Sequence, residues 1–270
     1  MASTTSDSGA SVARWRQAQV GLTTLLLRDL RGLRRLIDPA RLQATVPTWI
    51  EAVATVVARY SEMAATLAAD FYDGERDAAG VAGVFTVPLA DAPPDDQISN
   101  SLRWATKDLW PRNEADATVA QLEPFDTRLA AAMTKADGAT QKLIADRGRA
   151  TVRQAVAADP RAVAYARAAA LGACAFCRLM ASRGAIYRNA QTAGREADER
   201  FSGDASVVKF HDNCHCGIVP VFRGQRFELS PHAAEWDRIY REHAQGHPGE
   251  QLTRFRAAIA ELDSRSGRPI

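Results

Sequence analysis

Apolar positions in the first half of the chain recur at helical spacing. Leu22, Leu26, Leu30, Leu33 and Ile37 follow one another at intervals of four and three, a single stripe that predicts a helix from about Val12 to Ile37. Asp38-Pro39 ends it, because the residue before a proline is driven out of the helical region. A second stripe, Trp49, Val53, Val56, Tyr60, Met63, Leu67 and Phe71, is nearly a heptad seam. Its helix begins near Pro47, a residue that a first helical turn tolerates. Two such helices joined by a short turn predict an antiparallel hairpin. The period is lost between 73 and 96, where Gly74, Gly80, Gly83, Pro88, Pro93 and Pro94 predict a loop. It returns from about Asp96 to Leu109, with Ile98, Leu102 and Leu109 inward, and Pro111 stops it. A fourth segment carries Leu122, Phe125, Leu129 and Met133. A fifth carries Leu143, Ile144, Val152 and Val156 and ends near Asp159-Pro160.

Beyond Pro160 the pattern changes. Val163, Tyr165 and Arg167 alternate with alanines, which predicts a strand. Cys174 to Asn189 reads as a helix or helical turn, and 190 to 205 as polar loop. Val207 to Phe210 and Ile218 to Phe222 are β-branched and aromatic, hence strand-like. Two amphipathic helices close the chain, Ala233 to Ala244 (Trp236, Ile239, Tyr240) and Glu250 to Leu262 (Leu252, Phe255, Ile259, Leu262). The expected fold class is α+β, mostly α. A Ser/Thr-rich mobile tail (1–11) leads into an N-terminal helical domain (12–159), and a small α+β domain (160–270) carries a Cys/His cluster.

Composition narrows the classes. Hydrophobic residues make up 46% of the 270 positions and charged ones 24%, ordinary for a chain with a real core. No stretch of 18 apolar residues predicts a spanning helix, and Met1 to Ser8 lacks the basic and apolar runs of a secretory signal. The expectation is a soluble protein without a membrane partner. A net charge of +2, from 34 basic and 32 acidic residues, implies no nucleic-acid partner by itself. All but four of the basic residues are arginines, and alanine is abundant, which points to a GC-rich genome rather than to a function. Seven arginines against two aspartates lie between Arg14 and Arg41. Arg28, Arg31 and Arg35 fall on one predicted helical face and are candidates for DNA phosphate contacts. A solvated face opposite the leucine stripe is the plainer reading. The acidic turns Asp70, Asp73, Glu75, Asp77 and Asp91, Asp95, Asp96 read as solvated carboxylates.

The four cysteines carry the chemistry. Cys174, Cys177, Cys214 and Cys216 lie within 43 positions, with none in the first 173. Without an export signal a metal site outranks a disulfide framework or a redox pair. Cys174-x-x-Cys177 aims two thiolates at one ion, and His211-x-x-Cys214-His215-Cys216 can complete a tetrahedron. Cys174, Cys177 and Cys214 rank first, with His211 or Cys216 as the fourth ligand. His215 would point the other way on an extended strand. One structural zinc per chain offsets the cost of closing the 33-residue span between Cys177 and His211. Small zinc modules gain roughly 10 to 16 kcal/mol from their metal. A full ligand set leaves no position for a reactive water, and the chain has no H-x-E, H-E-x-x-H, G-x-S-x-G or Walker A pattern.

The run Cys174-Ala-Phe-Cys177, Gly184 and Tyr187, His211-Asp-Asn-Cys214-His-Cys216 and Ile218-Val-Pro220-Val resembles the MuF-like phage head-morphogenesis (minor capsid) proteins. Asp212 stands where that family usually has Pro, and His215 where it usually has Arg. The pattern looks most like the divergent actinobacteriophage versions, and the motif covers about 50 residues. The resemblance implies a non-enzymatic minor head protein at the portal vertex, acting in capsid assembly and in DNA packaging or delivery. Its implied partners are the portal protein and the major capsid protein, while DNA through phosphate contacts is the expectation raised by the arginines above. Its implied location is the capsid interior, and the host cytoplasm during assembly. The alternatives are a capsid maturation protease, for which no spacing singles out Ser182, Ser202 or Ser206, and a zinc-stapled DNA-binding packaging factor.

Overall fold

Three long helices bring the apolar stripes together. In the computed structural model, which describes residues 3–110, 123–186 and 216–265, α1 (Ala10–Leu33) buries Leu22, Leu26 and Leu30 and tightens into a 3-10 turn at Arg34–Leu36. The Asp38 side chain accepts the Ala40 N–H at 2.9 Å and turns the chain back into α2 (Leu42–Ala78). The expected hairpin is present. Trp49, Val53, Tyr60 and Phe71 of the second stripe are buried, whereas Met63 stays at the surface. Tyr60 fastens the pair by donating to Asp29 Oδ2 at 2.7 Å.

α2 runs past the predicted loop boundary, through Gly74 to Ala78. The cause lies in two charged residues that no apolar pattern reveals. Glu75 and Arg76 are both buried. Arg76 Nε reaches Asp159 Oδ2 at 3.0 Å, and its Nη1 donates to the Gly83 carbonyl at 2.7 Å. Thr5 Oγ1 donates to Glu75 Oε2 at 3.3 Å. The stretch from 81 to 94 is irregular, as expected. α3 (Asp95–Thr106) follows, with a 3-10 turn at Lys107–Leu109.

α4 (Phe125–Ala158) is one helix of 34 residues where the pattern suggested two segments. Between Met133 and Leu143 its inner face is Ala136, Gly138, Ala139 and Thr140, all buried. Further along the helix, α2 comes close. At Gly148 an added Cβ would lie 3.2 Å from the Ala64 carbonyl oxygen. The first core gathers Leu26, Leu30, Trp49, Val53, Leu102, Leu109, Leu129 and Ile144 from α1 to α4.

The C-terminal part supplies the β structure. β2 (Ala162–Ala168) pairs antiparallel with β3 (Gly217–Phe222), with Tyr165 opposite Pro220 and Ala168 opposite Gly217. A two-stranded ladder has room for Pro220, since each strand keeps one open edge. The strand predicted at 207–210 lies outside the described residues. α6 (Pro231–His243) and α7 (Gln251–Arg265) stand close to their predicted positions, whereas α5 (Ala175–Ser182) starts where expected but stops well short of Asn189, with Gly184 at positive φ just beyond its end. The first residues do not form the expected mobile tail. β1 (Thr4–Ser6) pairs in parallel with β4 (Arg226–Glu228). Asp7, fully buried, accepts the Ser230 N–H at 2.7 Å and its hydroxyl at 2.8 Å. The fold is α+β and mostly helical.

A second core crosses the boundary expected at 159/160. It joins Val12, Trp15, Phe71, Tyr72 and Val152 to Tyr165, Met180, Ile218 and Phe222. Trp15 stacks on Phe71 with centroids 4.4 Å apart, and its other neighbour is Gly217, where a Cβ would meet the indole at 2.3 Å. Gly217→Ala is therefore expected to cost about 1–3 kcal/mol through overpacking. Gly172→Ala, where a Cβ meets nothing within 4 Å, should leave the urea midpoint near wild type. A second prediction concerns Asp137 on α4. Burial raises its carboxyl pKa above the ordinary 3.8, with Arg31 acting the other way. A raised carboxyl is a source of stability below its unfolded pKa that is lost as pH climbs through the folded one. Asp137→Asn should raise Tm at neutral pH, and the gain should vanish below pH 3.8.

Candidate metal centre

The first cysteine pair is set by the start of α5. Cys174 is the N-cap residue, with extended backbone, and its Sγ accepts the Cys177 N–H at 3.5 Å. That bond orients the first sulfur over the open end of the helix, where backbone N–H groups favour a thiolate. Cys177 points inward and is 1% exposed, while Cys174 is half-buried. Cys216 stands at the threshold of β3 and is buried too. All three sulfur residues share a third cluster with Leu179, Trp236, Ile239, Phe255 and Ile259. No disulfide joins them to one another. Among the described residues no three His, Cys, Asp or Glu side chains form a metal-holding group. His211, Cys214 and His215 lie outside the described residues. The structure thus places a two-thiol knuckle and a third buried thiol in one cluster, and leaves the rest of the predicted ligand set unplaced.

Buried arginines hold this cluster in position. Arg178, next to Cys177, makes a two-oxygen pair with Asp263 of α7, both distances 2.9 Å, and its Nε donates to the Ala173 carbonyl at 2.7 Å. The guanidinium also lies over the Trp236 ring, 5.6 Å from its centroid. Arg149 of α4, 1% exposed, donates through Nε to the Cys216 carbonyl at 2.8 Å and through Nη1 to Asp146 at 2.7 Å. Arg16 of α1 lies close to Cys216 and Asp7. Burial lowers its pKa, and both neighbours act to keep it charged. Its Nε and Nη2 are buried without a hydrogen-bond partner among the described residues. A thiolate-rich ligand set would carry surplus negative charge beside this guanidinium. Sequence reasoning missed Arg16, Arg149, Arg178 and Asp263, because single charged residues inside helices carry no spacing signal.

The other sequence candidates fall as follows. Arg28 pairs with Asp29 at 3.3 Å, and Arg31 Nε bonds the Leu27 carbonyl. Both are exposed on α1, whereas Arg35 lies in the 3-10 turn beyond its end. Ser182 is buried and donates to the Leu179 carbonyl at 2.8 Å. Ser202 and Ser206 lie outside the described residues. Asp7, Ser230 and His232 meet at the start of α6, with Ser230 Oγ 3.0 Å from His232 Nε2. The geometry is that of a helix cap: Ser230 Oγ accepts the Ala233 N–H and donates to Asp7, and the residue is 1% exposed.

The family described as VG15 protein matches residues 6–243, from β1 through α6. The chain belongs to the VG15 protein family. That match crosses the 159/160 boundary and includes all four cysteines. Over 185 residues this VG15 protein is 28% identical to "Gene 15 protein" of Mycobacterium phage D29, a stretch covering 61% of the chain and 62% of that relative. The chain thus spans less than two thirds of the relative's length. The family is a phage protein family. No solved structure matches the chain.

The Arg178–Asp263 pair gives the test of this framework. Arg178→Met and Asp263→Leu should each cost about 3–5 kcal/mol in urea unfolding, because each strands a buried charge. The double variant should be more stable than the worse single one.

Proposed function

We propose that the protein is a structural component of the phage head, a minor capsid protein of MuF-like type that acts at the portal vertex during capsid assembly and DNA packaging or delivery. The observation that carries the proposal is the family match, which spans β1 to α6 and stands beside the similarity to a mycobacteriophage protein. The layout supports it: a helical first half leads into a small α+β unit built around the Cys174/Cys177 knuckle and Cys216. A part of this kind meets the portal protein and the major capsid protein and resides in the virion. It needs a rigid unit held by packing rather than a reactive centre.

One structural zinc belongs to this reading. Cys174 and Cys177 would hold it, with Cys214 and either His211 or Cys216. Bound, the ion supplies cross-linking and charge neutralisation, not Lewis-acid chemistry. Of the residues that fit the role, Cys174 has its sulfur fixed by an N–H bond and Cys216 has its carbonyl fixed by Arg149.

The test is the composition of particles. Quantitative mass spectrometry of purified heads should find the protein at a few copies per portal ring, retained after washing in high salt. Particles assembled without it should show a defect in DNA-filled heads. Its absence from both procapsids and mature particles, with normal heads in its absence, would overturn the proposal.

A further inference from the structure

Away from the cysteines, a cavity of about 250 Å³ opens between α1, α2 and α4. Its apolar lining is Leu30, Trp49, Ala130, Met133 and Ala136, of which Ala130 is exposed and Met133 half-buried while Leu30 and Trp49 lie behind them in the core. Arg31 and Arg34, both exposed, and the half-buried Asp137 also line it. The volume falls below the roughly 300–1,000 Å³ of sites that enclose a whole drug-sized ligand. It suits one large side chain. The charges around it are unequal in a telling way. Arg28 and Arg41 already hold Asp29 and Asp38. Arg31, Arg34 and the adjacent, exposed Arg35 form no ion pair among the described residues.

We propose that this cavity docks an acidic segment of a partner protein. One large apolar side chain enters beside Met133 and Ala130, and flanking carboxylates pair with Arg31, Arg34 and Arg35. Charge complementarity selects the partner's sign, and the apolar lining selects a peptide over a nucleic acid. Phosphate contacts use charge alone and would leave the lining wet. An anchor residue ringed by ion pairs uses both halves of the site, with the buried side chain supplying most of the affinity and the arginines steering the approach. The site stands apart from the cysteine cluster and goes beyond the assignment to the phage head.

The experiment uses the full chain and labelled short peptides, each with one Leu, Met, Phe or Trp between runs of Asp and Glu, read by fluorescence anisotropy. At least one peptide should bind saturably with a Kd of about micromolar order, more tightly at low salt. Arg34→Glu, Arg35→Glu and the cavity-filling Ala130→Trp should each weaken it by about tenfold or more, as should Ser in place of the peptide's apolar residue. These positions are exposed, and unchanged thermal melts would show that the variants fold. The proposal is overturned if no peptide saturates, or if binding ignores Ala130→Trp. It is equally overturned if duplex DNA displaces the peptides through the same arginines, which would make the face a nucleic-acid contact.

Discussion

The close approach of Trp15 to Gly217 governs how the two parts of the chain meet. The indole of α1 is clamped between the Phe71 ring and the backbone of β3, and no side chain fits at 217. Because Gly217 follows Cys216, that contact also fixes where a predicted metal ligand stands. The ladder between β2 and β3 then carries the constraint to the strand that leads toward α5 and the Cys174/Cys177 pair. The helical half therefore does more than precede the cysteine unit. Its first helix forms one wall of the core on which the unit rests.

Three buried arginines repeat a single device around this core. Arg76 joins Asp159 to the Gly83 carbonyl, Arg149 joins Asp146 to the Cys216 carbonyl, and Arg178 joins Asp263 to the Ala173 carbonyl. In each case one fork of donors takes a carboxylate and an otherwise irregular backbone oxygen together. A planar guanidinium can do this; an ammonium, with a point charge and no fixed fork, cannot hold both in one geometry. Such pairs add little net stability over an apolar replacement, but losing one partner strands a charge. They act as registration points where loops meet helices.

The sequence made the large-residue stripes legible and missed the features built on small or charged ones. The α1–α2 hairpin, the 163–167 and 218–222 strands and the two last helices follow from spacing. The continuity of α4 does not, because Ala136, Gly138 and Ala139 are buried yet give no large-residue signal. The extension of α2 to Ala78 is hidden for the same reason in reverse, since Glu75 and Arg76 read as surface. β1 escapes notice because Thr4–Ser6 is polar, and its order comes from a partner more than 200 positions away, with Asp7 bonded to Ser230. At the site, the C-x-x-C knuckle was readable, while Arg16, Arg149 and Arg178 were not. Arginine abundance looked like a codon effect, and composition cannot distinguish that from buried forks.

We propose that the cysteine cluster is a metal staple seated on this arginine-held framework. The most direct measurement is metal content of the natively purified protein by mass spectrometry, with a thiol count after unfolding. The account predicts one zinc per chain, released together with four titratable thiols and lost on Cys174→Ser or Cys177→Ser. A metal-free protein with four titratable thiols, or one with two disulfides, would contradict it.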